Sequence, residues 1–177
     1  MKPSIAGALV ALLLVQSCVR AGDGPDAPLA PELLYRNSQC GGLDQPAVTW
    51  IASPEEWRRL YGLATNSRMN PPPAPAVDFS REGVLLIAMG QRPAAGYGLN
   101  LSDTVTFEDG VLTVWVDWRE PPPGTRQAQV VTNPCLLVQL PSVAFTRVRV
   151  VDREDRVRLE GSRQRSAEPG DPDDRRP

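Results

Sequence analysis

Val84-Leu85-Leu86-Ile87-Ala88-Met89-Gly90 stands at the middle of the chain. An unbroken apolar run of this length, with β-branched residues in it and a glycine closing it, reads as the central buried strand of a sheet.

On the C-terminal side, Gly90 to Gly96 forms a turn, and Tyr97, Leu99, Leu101, Val105 and Phe107 then follow in the two-residue period of a strand. Glu108-Asp109-Gly110 supplies a hairpin signal, and the return strand Val111 to Trp118 puts Leu112, Val114, Val116 and Trp118 on one face and Thr113, Trp115 and Asp117 on the other. Glu120 to Gly124, with three prolines, is another turn. Ala128 to Thr132 and Cys135 to Leu140 read as strands separated by Asn133 and Pro134. Ala144 to Val151 reads as a further strand, with Ala144, Thr146, Val148 and Val150 on one face, and Asp152 to Asp155 turns back into Val157 and Leu159.

On the N-terminal side, Met69 to Pro75 holds four prolines and is a connector. Before it, Ser53, Pro54 and Glu56 make a helix start with a capping box, and Trp57, Leu60, Tyr61 and Ala64 fall on one helical face. Ala47 to Ala52 is a short strand. The fold expected is mainly β: an antiparallel β-sandwich or open barrel of about seven short strands, with one amphipathic helix near the N-terminal side.

The ends have a different character. Met1-Lys2 followed by apolar and small residues from Ile5 to Val15 is a secretory signal, shorter than the roughly 20 residues a membrane-spanning helix needs. Val15-Gln16-Ser17-Cys18 resembles the bacterial lipobox, which implies a signal peptide over 1–17 and a lipid on Cys18; an ordinary signal leaving Cys18 as a free thiol is the alternative. Val19, where an inner-membrane lipoprotein often has Asp, points to the outer membrane, facing the periplasm. Residues 18–31 read as a flexible tether, 32–160 as one β-rich domain and 161–177 as a disordered tail.

Cys40 and Cys135 then remain as a pair, a disulfide in an oxidising envelope compartment or else two buried thiols. The net charge is -2, from 19 basic and 21 acidic residues, which gives no reason to expect a nucleic-acid partner.

Composition also removes chemistry. The chain has no histidine, and its one lysine is Lys2 inside the signal, so a Ser/His/Asp triad, a Cys/His pair, a Ser/Lys dyad and a Schiff-base lysine are all absent. No catalytic residue, metal site or cofactor is expected. What survives is carboxylate chemistry of the glycosidase kind, for which Asp117 and Glu120, flanking Trp118 and Arg119, are the candidates in an enzyme acting on envelope glycans.

The succession Asp78-Phe79-Ser80, Val84 to Gly90, Gly90-Gln91-Arg92-Pro93-Ala94-Ala95-Gly96-Tyr97, Pro121-Pro122-Pro123-Gly124 and Val130-Val131-Thr132-Asn133-Pro134 resembles the C-terminal domain of the PrcB family, over about 77–149. Its name-giving member is a lipoprotein subunit of a surface protease complex. The resemblance therefore implies a non-catalytic lipoprotein that binds another envelope protein, a protease in that family. Ala94 and Ala95 stand where the family's turn has Thr and a second Gly, which weakens any role for a hydroxyl there.

The protein-binding residues expected are Gly90, Gln91, Arg92, Pro93, Gly96 and Tyr97 in one loop, Pro121, Pro122, Pro123 and Gly124 in another, and Trp115 on the face opposite the apolar one. A shorter likeness, of the 91–97 loop to chagasin-like cysteine protease inhibitors, carries the alternative of direct protease inhibition. The bland reading of the same loop is a tight turn with a core tyrosine.

Overall fold

The computed structural model describes residues 29–163. The expected signal peptide, Cys18 with its lipid, nearly all of the tether and the tail from residue 164 lie outside the described residues.

The elements in chain order are β1 (Glu32–Asn37), β2 (Ala47–Ile51), α1 (Pro54–Thr65), β3 (Glu82–Ala88), β4 (Gly98–Glu108), β5 (Val111–Arg119), β6 (Cys135–Pro141), β7 (Arg147–Val151) and β8 (Val157–Ser162). They form two four-stranded sheets, β1-β6-β3-β2 and β4-β5-β7-β8, whose ends stay open rather than closing into a barrel.

The inner faces of the sheets meet in one core. Leu85, Ile87, Leu136, Val138 and Leu140 of the first sheet pack on Val105, Leu112, Val114, Val116, Val148 and Val150 of the second. The outer face of the first sheet is covered in turn by α1: Val84, Leu86, Ala88 and Leu137 pack with Trp57, Leu60, Tyr61 and Ala64. Burial on both faces is why β3 and β6 are apolar without alternation, whereas β5, with one face in the core, alternates residue by residue. The Trp50 ring of β2 occupies the space that a side chain on Gly83 of β3 would need.

Ser53 caps α1 as the sequence indicates, accepting a hydrogen bond from the Glu56 amide at 3.3 Å, with Pro54 in the first turn. The second half of the capping box is not made. The Glu56 carboxylate lies instead 3.9 Å from Arg59, one turn along.

Four expectations are corrected. Glu32–Asn37, which carries no strand signal in its sequence, is the edge strand β1. Its neighbour β6 supplies the ladder that a short, weakly alternating segment lacks by itself. Ala128 to Thr132 is not a strand: Thr132 alone bridges to Arg92, and Val130 turns back on Ala128 through a main-chain bond of 2.9 Å. The strand expected from Ala144 begins at Arg147, because the amides of Thr146 and Arg147 both bond the Gly110 carbonyl of the β4–β5 hairpin, which leaves Phe145 in the core and Ala144 and Thr146 exposed. At the far end β8 runs through Ser162, two residues into the expected tail.

One pairing, β5 with β7, is parallel. The chain leaves the second sheet after β5, contributes β6 to the first and returns, so β7 enters beside β5 running the same way.

Candidate binding surface

Strand directions gather the connections at one end of the sandwich. The ends of β1, β3, β5 and β7 and the beginnings of β4, β6 and β8 all lie there, so the loops at 38–46, 89–97, 120–134 and 152–156 are neighbours.

The Gly90–Tyr97 loop is braced by main-chain hydrogen bonds to the segments on both sides of it. Gln91 donates to the Asp44 carbonyl at 2.9 Å, Arg92 and Thr132 exchange two bonds of 2.7 and 2.9 Å, and Ala95 donates to the Ala128 carbonyl at 2.9 Å. The Thr132 hydroxyl donates to the Ala94 carbonyl at 3.2 Å. A backbone carbonyl at position 94 thus serves as acceptor, and no hydroxyl on residue 94 or 95 is needed to hold the turn.

Glycine is required where the loop starts and ends. Gly90 has φ +74°, and a Cβ there would lie 2.6 Å from the Pro46 nitrogen. Gly96 has φ +97°, and a Cβ there would lie 3.0 Å from the Gln127 side-chain oxygen and 3.3 Å from Pro121. Gly96 is therefore the point at which the first loop meets the Pro121–Gly124 turn, which is closed by Thr125 bonding back to the Pro122 carbonyl through its amide and its hydroxyl.

The side chains of this end form a connected cluster. The Arg92 guanidinium lies 5.5 Å from the Tyr97 ring centre and 5.9 Å from that of Trp118, and Arg158 lies 5.1 Å from Trp118 on β5. The Trp118 indole donates to Glu120 at 3.2 Å and Arg158 donates to the same carboxylate at 2.6 Å. Burial works to raise the Glu120 pKa. The bonds from Trp118 and Arg158 and the nearby arginine charges outweigh it and hold the carboxyl below its ordinary value.

Tyr97 is half-buried, its ring packed on the core and its outer side turned to this cluster, so it has features of both the displayed residue and the core residue that the sequence allowed. Trp115 stands apart from the loops on the outer face of the second sheet, where its indole donates to Asp155 at 2.9 Å.

Asp117 and Glu120 do not form a facing pair. Asp117 lies on the outer face with Asn100 at 3.1 Å and Arg153 at 3.6 Å, while Glu120 is tied to Trp118 and Arg158. Each carboxylate is matched by an arginine, the opposite of the raised, unpaired acid that glycosidase chemistry uses.

Sequence reasoning missed two features of this end. Val130 and Val131, each 50 % exposed, form an apolar step beside the first loop, hidden in the sequence by their resemblance to a buried strand. Arg36, Asn100 and Arg119 border a cavity of about 240 Å³ with Tyr97, Gly98 and Pro134. The glycine between Tyr97 and Leu99 was the available signal, since an isolated glycine in a strand marks a close approach.

Cys40 and Cys135 are joined as a disulfide, with Cα atoms 6.0 Å apart, and tie the loop after β1 to the start of β6 directly behind this surface.

Fold and surface together define a mainly β protein whose distinguishing feature is one end of rigid, mutually braced loops. Residues 84–141, from β3 through β6, match the family model described as PrcB C-terminal, so this part of the chain is PrcB-like and contains both the Gly90–Tyr97 loop and the Pro121–Gly124 turn. No curated protein and no solved structure matches the chain. The likeness to chagasin-like inhibitors finds no support in these comparisons.

Proposed function

We propose that this protein is a lipid-anchored, non-catalytic subunit of the bacterial envelope that binds another protein, a protease by the family likeness, through the loop end of its sandwich. The anchor is the lipid on Cys18, in the outer membrane facing the periplasm. The observation that carries the reading is the bracing of the 90–97 loop against 128–132 within the PrcB-like segment. Loops fixed by their own main-chain bonds lose little entropy when a partner covers them. The exposed Val130-Val131 step gives that surface apolar area beside polar and aromatic groups, the mixture found in a protein interface.

The test is capture of the tagged, lipidated chain from membranes of its own host after gentle crosslinking, beside the Val131→Asp variant and an unrelated lipoprotein. One envelope protease recovered in equimolar amount, and lost with Val131→Asp, is the expected result. Recovery of nothing beyond the unrelated lipoprotein overturns the reading. Adding the purified chain to the captured protease separates the two kinds of partnership: a stabilising subunit prolongs activity, whereas an inhibitor lowers it stoichiometrically.

A further inference from the structure

The cavity between the end of β1 and the start of β4 carries a chemistry that the loop reading does not use. Two guanidiniums converge on it from different sheets. Arg36 follows Tyr35, which faces α1, and so turns toward the second sheet, where it donates to the Asn100 side-chain oxygen. The other end of that carboxamide donates to Asp117 at 3.1 Å, which fixes which way it points and so holds Arg36 in place.

Arg119 arrives by a different device. Its cross-strand neighbour is Gly98, and in the absence of a side chain there the guanidinium lies across the strand, with Nη2 2.6 Å from where a Cβ would be. Among the described residues neither Arg36 nor Arg119 makes an ion pair, while Asp117, the carboxylate that reaches this cluster, is matched by Arg153. Tyr97, Leu99 and Pro134 line the cavity beside the two arginines.

We infer that this groove is a carboxylate pocket that takes an acidic side chain or a free C-terminal carboxylate from an extended segment of a protein partner. A planar guanidinium offers paired donors that match the two oxygens of a carboxylate, and two of them at one cavity can hold both oxygens of a carboxylate carried on a peptide. The volume, about 240 Å³, is about eight times the share of one water in the liquid, room for one short side chain with its adjoining backbone. The inference rests on the proposed function only for the source of the carboxylate.

Ligand-observed saturation-transfer NMR on the full lipidated chain in detergent tests it with three acetylated tripeptides: alanyl-aspartyl-alanine amide, trialanine with a free C-terminus, and alanyl-asparaginyl-alanine amide. At least one carboxylate probe is expected to bind saturably and at least tenfold more tightly than the asparagine probe, and which of them binds identifies the source. Arg119→Gln and Arg36→Gln are each expected to weaken that binding at least tenfold with the thermal midpoint unchanged. Equal affinity for all three probes, or Arg119→Gln protein that binds like the parent, overturns the inference. Capture of the protease partner by Arg119→Gln protein is scored separately, so the partner reading and the pocket can fail independently.

Discussion

Asp152, in the turn after β7, is 1 % exposed and links the stability of the loop end to pH. Burial works to raise its pKa; bonds from the Arg156 amide and guanidinium and from the Glu154 amide, with the Arg156 charge, outweigh burial and lower it. A carboxyl whose folded pKa lies below its unfolded value, about 3.9, contributes stability that is present above that value and lost as the pH falls through the folded one. Thermal midpoints of Asp152→Asn should therefore fall below the parent's at neutral pH, with the gap closing as the pH drops below about 4. Two glycines separate conformation from contact. Gly90 and Gly124 both have positive φ, but a Cβ on Gly90 meets backbone while one on Gly124 meets nothing within 4 Å. Urea denaturation should show Gly124→Ala costing about 1 kcal/mol, the conformational term alone, and Gly90→Ala about 2 to 3 kcal/mol.

At the scale of elements, α1 has a side-chain cap at its start and a strap to the connector that follows it. Ser53→Ala removes the acceptor for the Glu56 amide and should cost about 1 kcal/mol in the same denaturation measurement. Trp57 holds the proline-rich connector to the helix, its indole donating to the Pro75 carbonyl at 3.0 Å. Trp57→Phe keeps the ring in the core and deletes that bond, so the expected outcome is faster limited proteolysis between α1 and β3, with a global loss of about 1 kcal/mol. Both elements were legible in the sequence, the helix from its cap and periodicity and the connector from its prolines. The segment at 128–132 was not, because Val130 and Val131 have strand character but no neighbouring strand lies alongside them; pairing partners, which composition does not name, decide whether such a run becomes a strand.

For the whole molecule, the Cys40–Cys135 disulfide closes a loop of 95 residues around most of the domain. The chain-entropy model gives such a loop about 4 to 5 kcal/mol by constraining the unfolded chain, so the Cys40→Ser/Cys135→Ser double variant should unfold at markedly lower urea and with a steeper slope, because its unfolded chain exposes more surface. What the sequence determined by itself is the local and the compositional: the buried strand at 84–89, the β4–β5 hairpin, the capped helix, the absence of histidine and the turn motifs of a PrcB-like segment. Each of these depends on residues near one another in the chain or on no arrangement at all. Which edges meet is set by tertiary packing. The parallel β5–β7 pair, the edge strand β1, the bracing of one loop by another and the convergence of Arg36 with Arg119 all join residues far apart in sequence. Their positions follow from the packing of two sheets and a helix around shared cores, where burying apolar faces outweighs the weak preferences of the segments themselves.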